Sequence, residues 1–210
     1  MKTITCYLDF ISPYAYLAFE ALPSALMGVS HHVVYKPVLF AGMLKHHGQL
    51  GPAEIAGKRE WTYRQVLWQA RQLGVRFDMP AAHPFNPLAL LRLALACSTD
   101  GAPNRWVCET VFRHVWQGGM AADDASRLPA LIQQLNPARA MDAPEVKAQL
   151  KANTDEALAR GAFGVPTFCV DDKLFWGLDA LPMMRAYLDE DPWFDNAWGS
   201  VANVQAGVKR

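Results

Sequence analysis

From Thr3 to Phe10 the chain alternates apolar and polar positions among β-branched and aromatic residues, which predicts a strand. Tyr14 to Met27 places apolar residues at three- and four-residue spacing, the signature of a helix with one buried face, and Val33 to Val38 returns to a strand pattern that ends at a proline. These three segments read as a βαβ unit. Helical spacing then dominates as far as Arg160, in the stretches 56–73, 87–99, 104–117, 126–135 and 144–161, with Ser126 and Asp142 as candidate caps. After Gly164-Val165-Pro166, the runs Thr167 to Val170 and Lys173 to Trp176 flank the turn Asp171-Asp172 and predict a β-hairpin. A last helix is expected over Leu181 to Leu188. The order βαβ, helices, ββα predicts an α/β protein whose single sheet is built from residues 1–40 and 162–210 and is interrupted by an all-helical insertion over 41–161.

With 210 residues, 51% hydrophobic and 19% charged, the chain can bury one substantial core. Twenty basic and twenty acidic residues balance, and no basic cluster extends beyond Lys58-Arg59, so nucleic acid and anionic membrane surfaces are not expected partners. No apolar run is long enough to span a bilayer, and Met1 leads straight into strand pattern without the features of a secretory signal. Cys6, Cys97, Cys108 and Cys169 are scattered in apolar settings, which suits reduced thiols and a cytoplasmic location. The pairs His31-His32 and His46-His47 point to different faces in any regular element, so no metal site is expected. Trp61, Tyr63, Leu67 and Trp68 have the spacing of a core-facing or dimer-facing helix, and Trp193, Phe194 and Trp198 are expected to dock the tail on the body.

The chemistry concentrates at two places. In Asp9-Phe10-Ile11-Ser12-Pro13-Tyr14-Ala15, Ser12 stands where a thioredoxin-type redox site carries its nucleophilic sulfur, and Ala15 stands where the second cysteine would be. A dithiol cycle is therefore excluded, and with it a disulfide oxidoreductase. The positive end of the helix remains, and the Ser12 hydroxyl can donate to a thiolate brought by another molecule. Ser12 also suits a plain N-cap with Pro13 at the first helical position. Far downstream, Gly164-Val165-Pro166 reads as a loop with an X-Pro bond entering a strand; paired with the serine motif, a cis Val165–Pro166 bond is expected, although trans is the commoner form. Asp179 is open between an N-cap for the last helix and a ligand contact, and His83, in a proline-rich loop, between the mouth of a pocket and loop packing.

Asp9 to Leu17, Phe163 to Thr167 and Trp176-Gly177-Leu178-Asp179, in this order and at these places, resemble the 2-hydroxychromene-2-carboxylate isomerase family, close kin of the kappa-class glutathione transferases. The resemblance implies a thioredoxin-like domain with a helical insertion, glutathione as cofactor, and a homodimer. It makes Ser12 the catalytic residue. Ser12, Val165, Pro166, Trp176, Gly177, Leu178 and Asp179 become the glutathione-binding residues, with Asp179 on the γ-glutamyl ammonium. Lys45 faces an anionic substrate, with Glu54 and His83 beside it and Lys58 as a further basic candidate. The chain departs from the isomerase pattern at Glu54-Ile55, where an Asn-Arg pair is expected, and at Gln49, where an asparagine is expected. The implied activity is glutathione-dependent cis–trans isomerisation of an aromatic-derived unsaturated acid, by reversible addition of the glutathione thiolate. The alternatives are a kappa-like glutathione transferase and a noncatalytic glutathione- or peptide-binding module.

Overall fold

The computed structural model describes residues 1–205 and residue 207. Four strands, β1 (Lys2–Leu8), β2 (His31–Pro37), β3 (Thr167–Val170) and β4 (Lys173–Trp176), form one sheet in the order β2-β1-β3-β4. β1 and β2 run parallel, with Lys2 opposite His31, whereas β1 with β3 and β3 with β4 are antiparallel, with Tyr7 opposite Thr167 and Thr167 opposite Trp176. The parallel pair requires a crossover, and α1 (Pro13–Ala25) supplies it. Between β2 and β3 lie α2 (Phe40–His47), α3 (Ala56–Leu73), α4 (Leu88–Ala96), α5 (Arg105–Trp116), α6 (Leu128–Leu135) and α7 (Pro144–Ala159); α8 (Leu181–Leu188) and α9 (Trp193–Asn196) follow the sheet. This is the thioredoxin-like arrangement interrupted by helices.

β1 is central and covered on both faces, so its last residues Tyr7 and Leu8 are buried. On one face an aromatic cluster joins Phe10, Tyr16 and Phe19 of the α1 region to Phe112 of α5, with ring centroids 4.9, 5.7 and 5.2 Å from Phe112. The insertion therefore shares its core with the sheet. On the other face α7 packs against β1 and β2, where Glu156 accepts from the Tyr7 hydroxyl at 2.7 Å and from Lys36 Nζ at 2.5 Å. A smaller apolar cluster, Val38, Met43, Ala157, Ala162 and Val165 among others, fills the space beside Tyr7.

Several sequence expectations need correction. Neither Ser126 nor Asp142 caps a helix: Arg127 and Ala143 occupy the N-cap positions, and the Ser126 N–H is held by Asp124 at 2.8 Å. A polar residue two positions before an apolar run satisfies the cap pattern, but the loop closes its own turn first. Of the two expectations for the α3 stripe, core or dimer face, the core one fails. Trp61, Leu67 and Trp68 are 64%, 47% and 58% exposed, while Thr62, Val66 and Ala70 form the buried face. At the chain's far end, Phe194 and Trp198 pack on Phe175 at 6.1 and 5.6 Å, as expected for a docked tail.

Candidate active site at the first turn of α1

Ser12 is the N-cap of α1, with extended backbone (φ −89°, ψ 117°), and Pro13 occupies the start of the helix, where its missing N–H costs no hydrogen bond. The Ser12 Oγ accepts from the Ala15 N–H at 3.2 Å and donates to the Val165 carbonyl at 3.3 Å. One buried hydroxyl thus caps the helix and reaches the X-Pro loop 153 residues away in sequence. The first turn of α1 carries no acidic residue, so its positive end is not neutralised from within the helix.

The turn that presents Ser12 is fixed from three sides. The Ser12 N–H donates to the Asp9 carbonyl at 3.1 Å, Trp116 Nε1 donates to the Phe10 carbonyl at 3.0 Å, and the His83 ring holds the Ile11 carbonyl at 2.8 Å through Nε2. Inside the turn, the fully buried Asp9 carboxylate accepts from the Ile11 N–H at 3.1 Å and from the Phe40 N–H at 2.9 Å, which ties the end of β1 to the start of α2. Burial pushes the Asp9 carboxyl up to about 7, against the backbone N–H groups that favour its charge. Burial, aided by the charge of Arg59, lowers the His83 pKa; the neutral ring donates through Nε2 and presents Nδ1 to the Tyr63 hydroxyl at 2.8 Å. His83 is thus a residue of the turn's support, with both ring nitrogens engaged by protein. The bond that follows it, His83–Pro84, is cis, which the sequence reading did not anticipate.

The second half-site approaches from β3 and β4. Val165–Pro166 is cis, as expected, and Thr167 Oγ1 donates to the Gly164 carbonyl at 2.7 Å. No hydrogen bond from the Val165 N–H is formed among the described residues. The Phe163 and Trp176 rings meet at a tilt, centroids 4.8 Å apart, on the exposed side of this loop, and a Cβ at Gly164 would come within 2.7 Å of Trp176 Nε1. The Gly177 N–H donates to the Pro166 carbonyl at 2.9 Å. Asp179 does not cap α8: Leu178–Ala180 forms a short 3₁₀ turn, Ala180 takes the N-cap position, and the Asp179 carboxylate folds back over Gly177. In the first turn of α1, burial first and the Asp179 charge last raise the Tyr14 phenol, which donates to Gln65 Oε1 at 2.6 Å.

Gly177 is the position most sensitive to a single methyl group here. Its φ of 96° lies in the left-handed region, and an added Cβ would sit 2.5 Å from Asp179 Oδ1. Gly177→Ala is expected to displace Asp179 and to destabilise the chain by about 1–3 kcal/mol, the cost of a strained residue; urea denaturation of the two proteins measures it.

The remaining sequence candidates do not join this cluster. Glu54 is exposed, and its Oε2 accepts from the Gly51 N–H at 2.5 Å. Lys45 opens onto a groove between α2, α4 and α7 whose lining includes neither Ser12 nor any residue from Val165 to Asp179. Lys58 is exposed on α3. Sequence reasoning missed Asp9, Trp116 and Tyr63 as supports. Asp9 carried a legible signal, an acid at the end of a buried strand two residues before a turn N–H; Trp116 and Tyr63 carried none.

The chain is similar over most of its length to several known proteins. The chain is 26% identical over 209 residues to glutathione S-transferase kappa 2 of Caenorhabditis elegans, covering 90% of this chain and 92% of that protein. It is 28% identical over 190 residues to a 2-hydroxychromene-2-carboxylate isomerase of Pseudomonas putida, covering 86% and 91%. A solved structure of a selenomethionine 2-hydroxychromene-2-carboxylate isomerase superposes with a TM-score of 0.78 at 23% identity, over 92% of this chain and 97% of that one. Residues 3–189, which span both half-sites, match the DSBA-like thioredoxin domain, and the chain belongs to that family.

Proposed function

We propose that the protein is a glutathione-dependent cis–trans isomerase acting on an aromatic-derived unsaturated acid. The observation that carries this reading is the meeting of two distant segments at one hydroxyl: Ser12 Oγ at the positive end of α1, 3.3 Å from the carbonyl of Val165. Sulfur is absent from both positions where a dithiol enzyme needs it, so the reactive thiol must come with a small molecule. The residues present fit a peptide thiol. The free Val165 N–H suits a backbone acceptor of an extended peptide. Asp179 suits its ammonium group, and the positive end of α1, whose first turn carries no acidic residue, suits an anion.

When bound, glutathione supplies a thiolate whose reversible addition to a conjugated double bond permits rotation before the sulfur leaves. The chain's part is to hold that sulfur anionic and oriented. A thiolate is a stronger acceptor than a neutral carbonyl, so the Ser12 proton turns from Val165 to the sulfur, while the oxygen keeps the Ala15 N–H. Asp9, His83 and Trp116 keep the turn from yielding as charge moves.

Product analysis tests the reading with 2-hydroxychromene-2-carboxylate and a tenth of an equivalent of glutathione. Isomerisation of many equivalents, with glutathione recovered, is expected. A transferase, the reading favoured by the similarity to the kappa-class protein, would stop when glutathione is consumed, and a binding module would give neither. Glutathione is also expected to raise the melting temperature by several degrees at about a hundred times its Kd, where mass action adds about 2.7 kcal/mol.

A further inference from the structure

An open groove of about 550 Å³ lies between α2, α4 and α7. Leu88 and Leu150 belong to its aliphatic floor, and Lys45, Arg92, Lys147 and Lys151 stand around it. In a chain whose charges balance, this is a local excess of cations against one lining carboxylate, Asp155. That carboxylate is taken by Lys151 at 2.5 Å. Among the described residues no ion pair holds Lys45, Arg92 or Lys147. Arg92 lines the groove half-buried, and among the described residues its side chain donates no hydrogen bond to the protein.

A half-buried guanidinium with no ion pair leaves its planar fork for a carboxylate. The floor beside it is leucine, with no Phe, Tyr or Trp in the lining. The groove follows α7 from Lys147 to Leu158, about 16 Å of helix axis. Charge and apolar surface are thus arranged side by side along an elongated cleft.

We propose that this groove is a second binding site, separate from the Ser12 site, for an aliphatic carboxylate whose head group pairs with Arg92 and Lys147 and whose chain lies on the leucines. The groove wall is also joined to the turn at Ser12: the Leu39 N–H donates to Thr154 Oγ1 at 3.0 Å, and the next residue's N–H donates to the Asp9 carboxylate at 2.9 Å.

Isothermal titration of the full chain with octanoate, 1-octanol and acetate separates the contributions of charge and chain. Octanoate is expected to bind at one site, and octanol and acetate about tenfold more weakly or worse, because each lacks half of the recognition. Arg92→Gln and the exposed Lys147→Gln are each expected to weaken octanoate, by about tenfold and several-fold. Saturating glutathione and Ser12→Ala are expected to leave octanoate affinity unchanged. Equal affinity for octanoate and octanol, no binding at millimolar octanoate, wild-type affinity in Lys147→Gln, or displacement by glutathione would each overturn the proposal.

Discussion

Ser12→Ala is expected to lower glutathione-dependent turnover by about ten- to a hundredfold, because a hydrogen bond to a charged group contributes about 1.5–3 kcal/mol. The effect should fall on kcat more than on KM, since the Ser12 proton is committed to the Val165 carbonyl until the sulfur is charged. The helix terminus remains and keeps part of the stabilisation, which is why the loss is not larger. The variant also loses the cap on Ala15, and so about 1 kcal/mol of stability. Steady-state kinetics with a parallel urea melt separate the two effects: a variant that loses only the cap would melt earlier and turn over at the wild-type rate.

The larger effect on the fold is expected at Asp9. An unperturbed aspartate titrates near 4, whereas burial holds this carboxyl at about 7. Between those values the folded chain keeps a proton that the unfolded chain has released, so the stability gained from this group is full below about 4 and is lost as pH rises through 7. Over three pH units the loss approaches about 4 kcal/mol at about 1.4 kcal/mol per unit. Asp171 and Glu156, whose carboxyls are held low, push stability the opposite way, so the comparison must be between proteins rather than along one curve. Unfolding free energies of wild type and Asp9→Asn at pH 4.5, 5.5, 6.5 and 7.5 should show the wild type's relative stability falling as pH rises. Parallel curves would mean that Asp9 is ionised throughout.

Much of this architecture was legible in the sequence because it depends on local pattern. The alternation before Asp9, the helical spacing from Ala56 to Leu73 and the runs on either side of Asp171-Asp172 each report a period, and each element formed where the period is unbroken. Ser12 was legible for the same reason: a cap and a proline identify a helix start wherever it falls. What periodicity does not report is the partner. The stripe of Trp61, Leu67 and Trp68 has a spacing that suits a core or a dimer face alike, and it lies outside the chain's own core because α3 buries its Val66 side. The carbonyls of Phe10 and Ile11 find Trp116 and His83 across 106 and 72 residues, pairings that only the packed insertion creates. Asp179 looked like a cap because it precedes α8, but the positive φ of Gly177 swings it back over the loop instead.

The central claim, a glutathione thiolate held by Ser12 at the end of α1, is tested most directly by the ultraviolet absorbance of bound glutathione as a function of pH. In wild type the thiolate band is expected to persist to a pH at least one unit below that of free glutathione, and in Ser12→Ala to move back toward the free value by about one unit. The same apparent thiol pKa in both proteins would contradict the account and leave Ser12 as a helix cap alone.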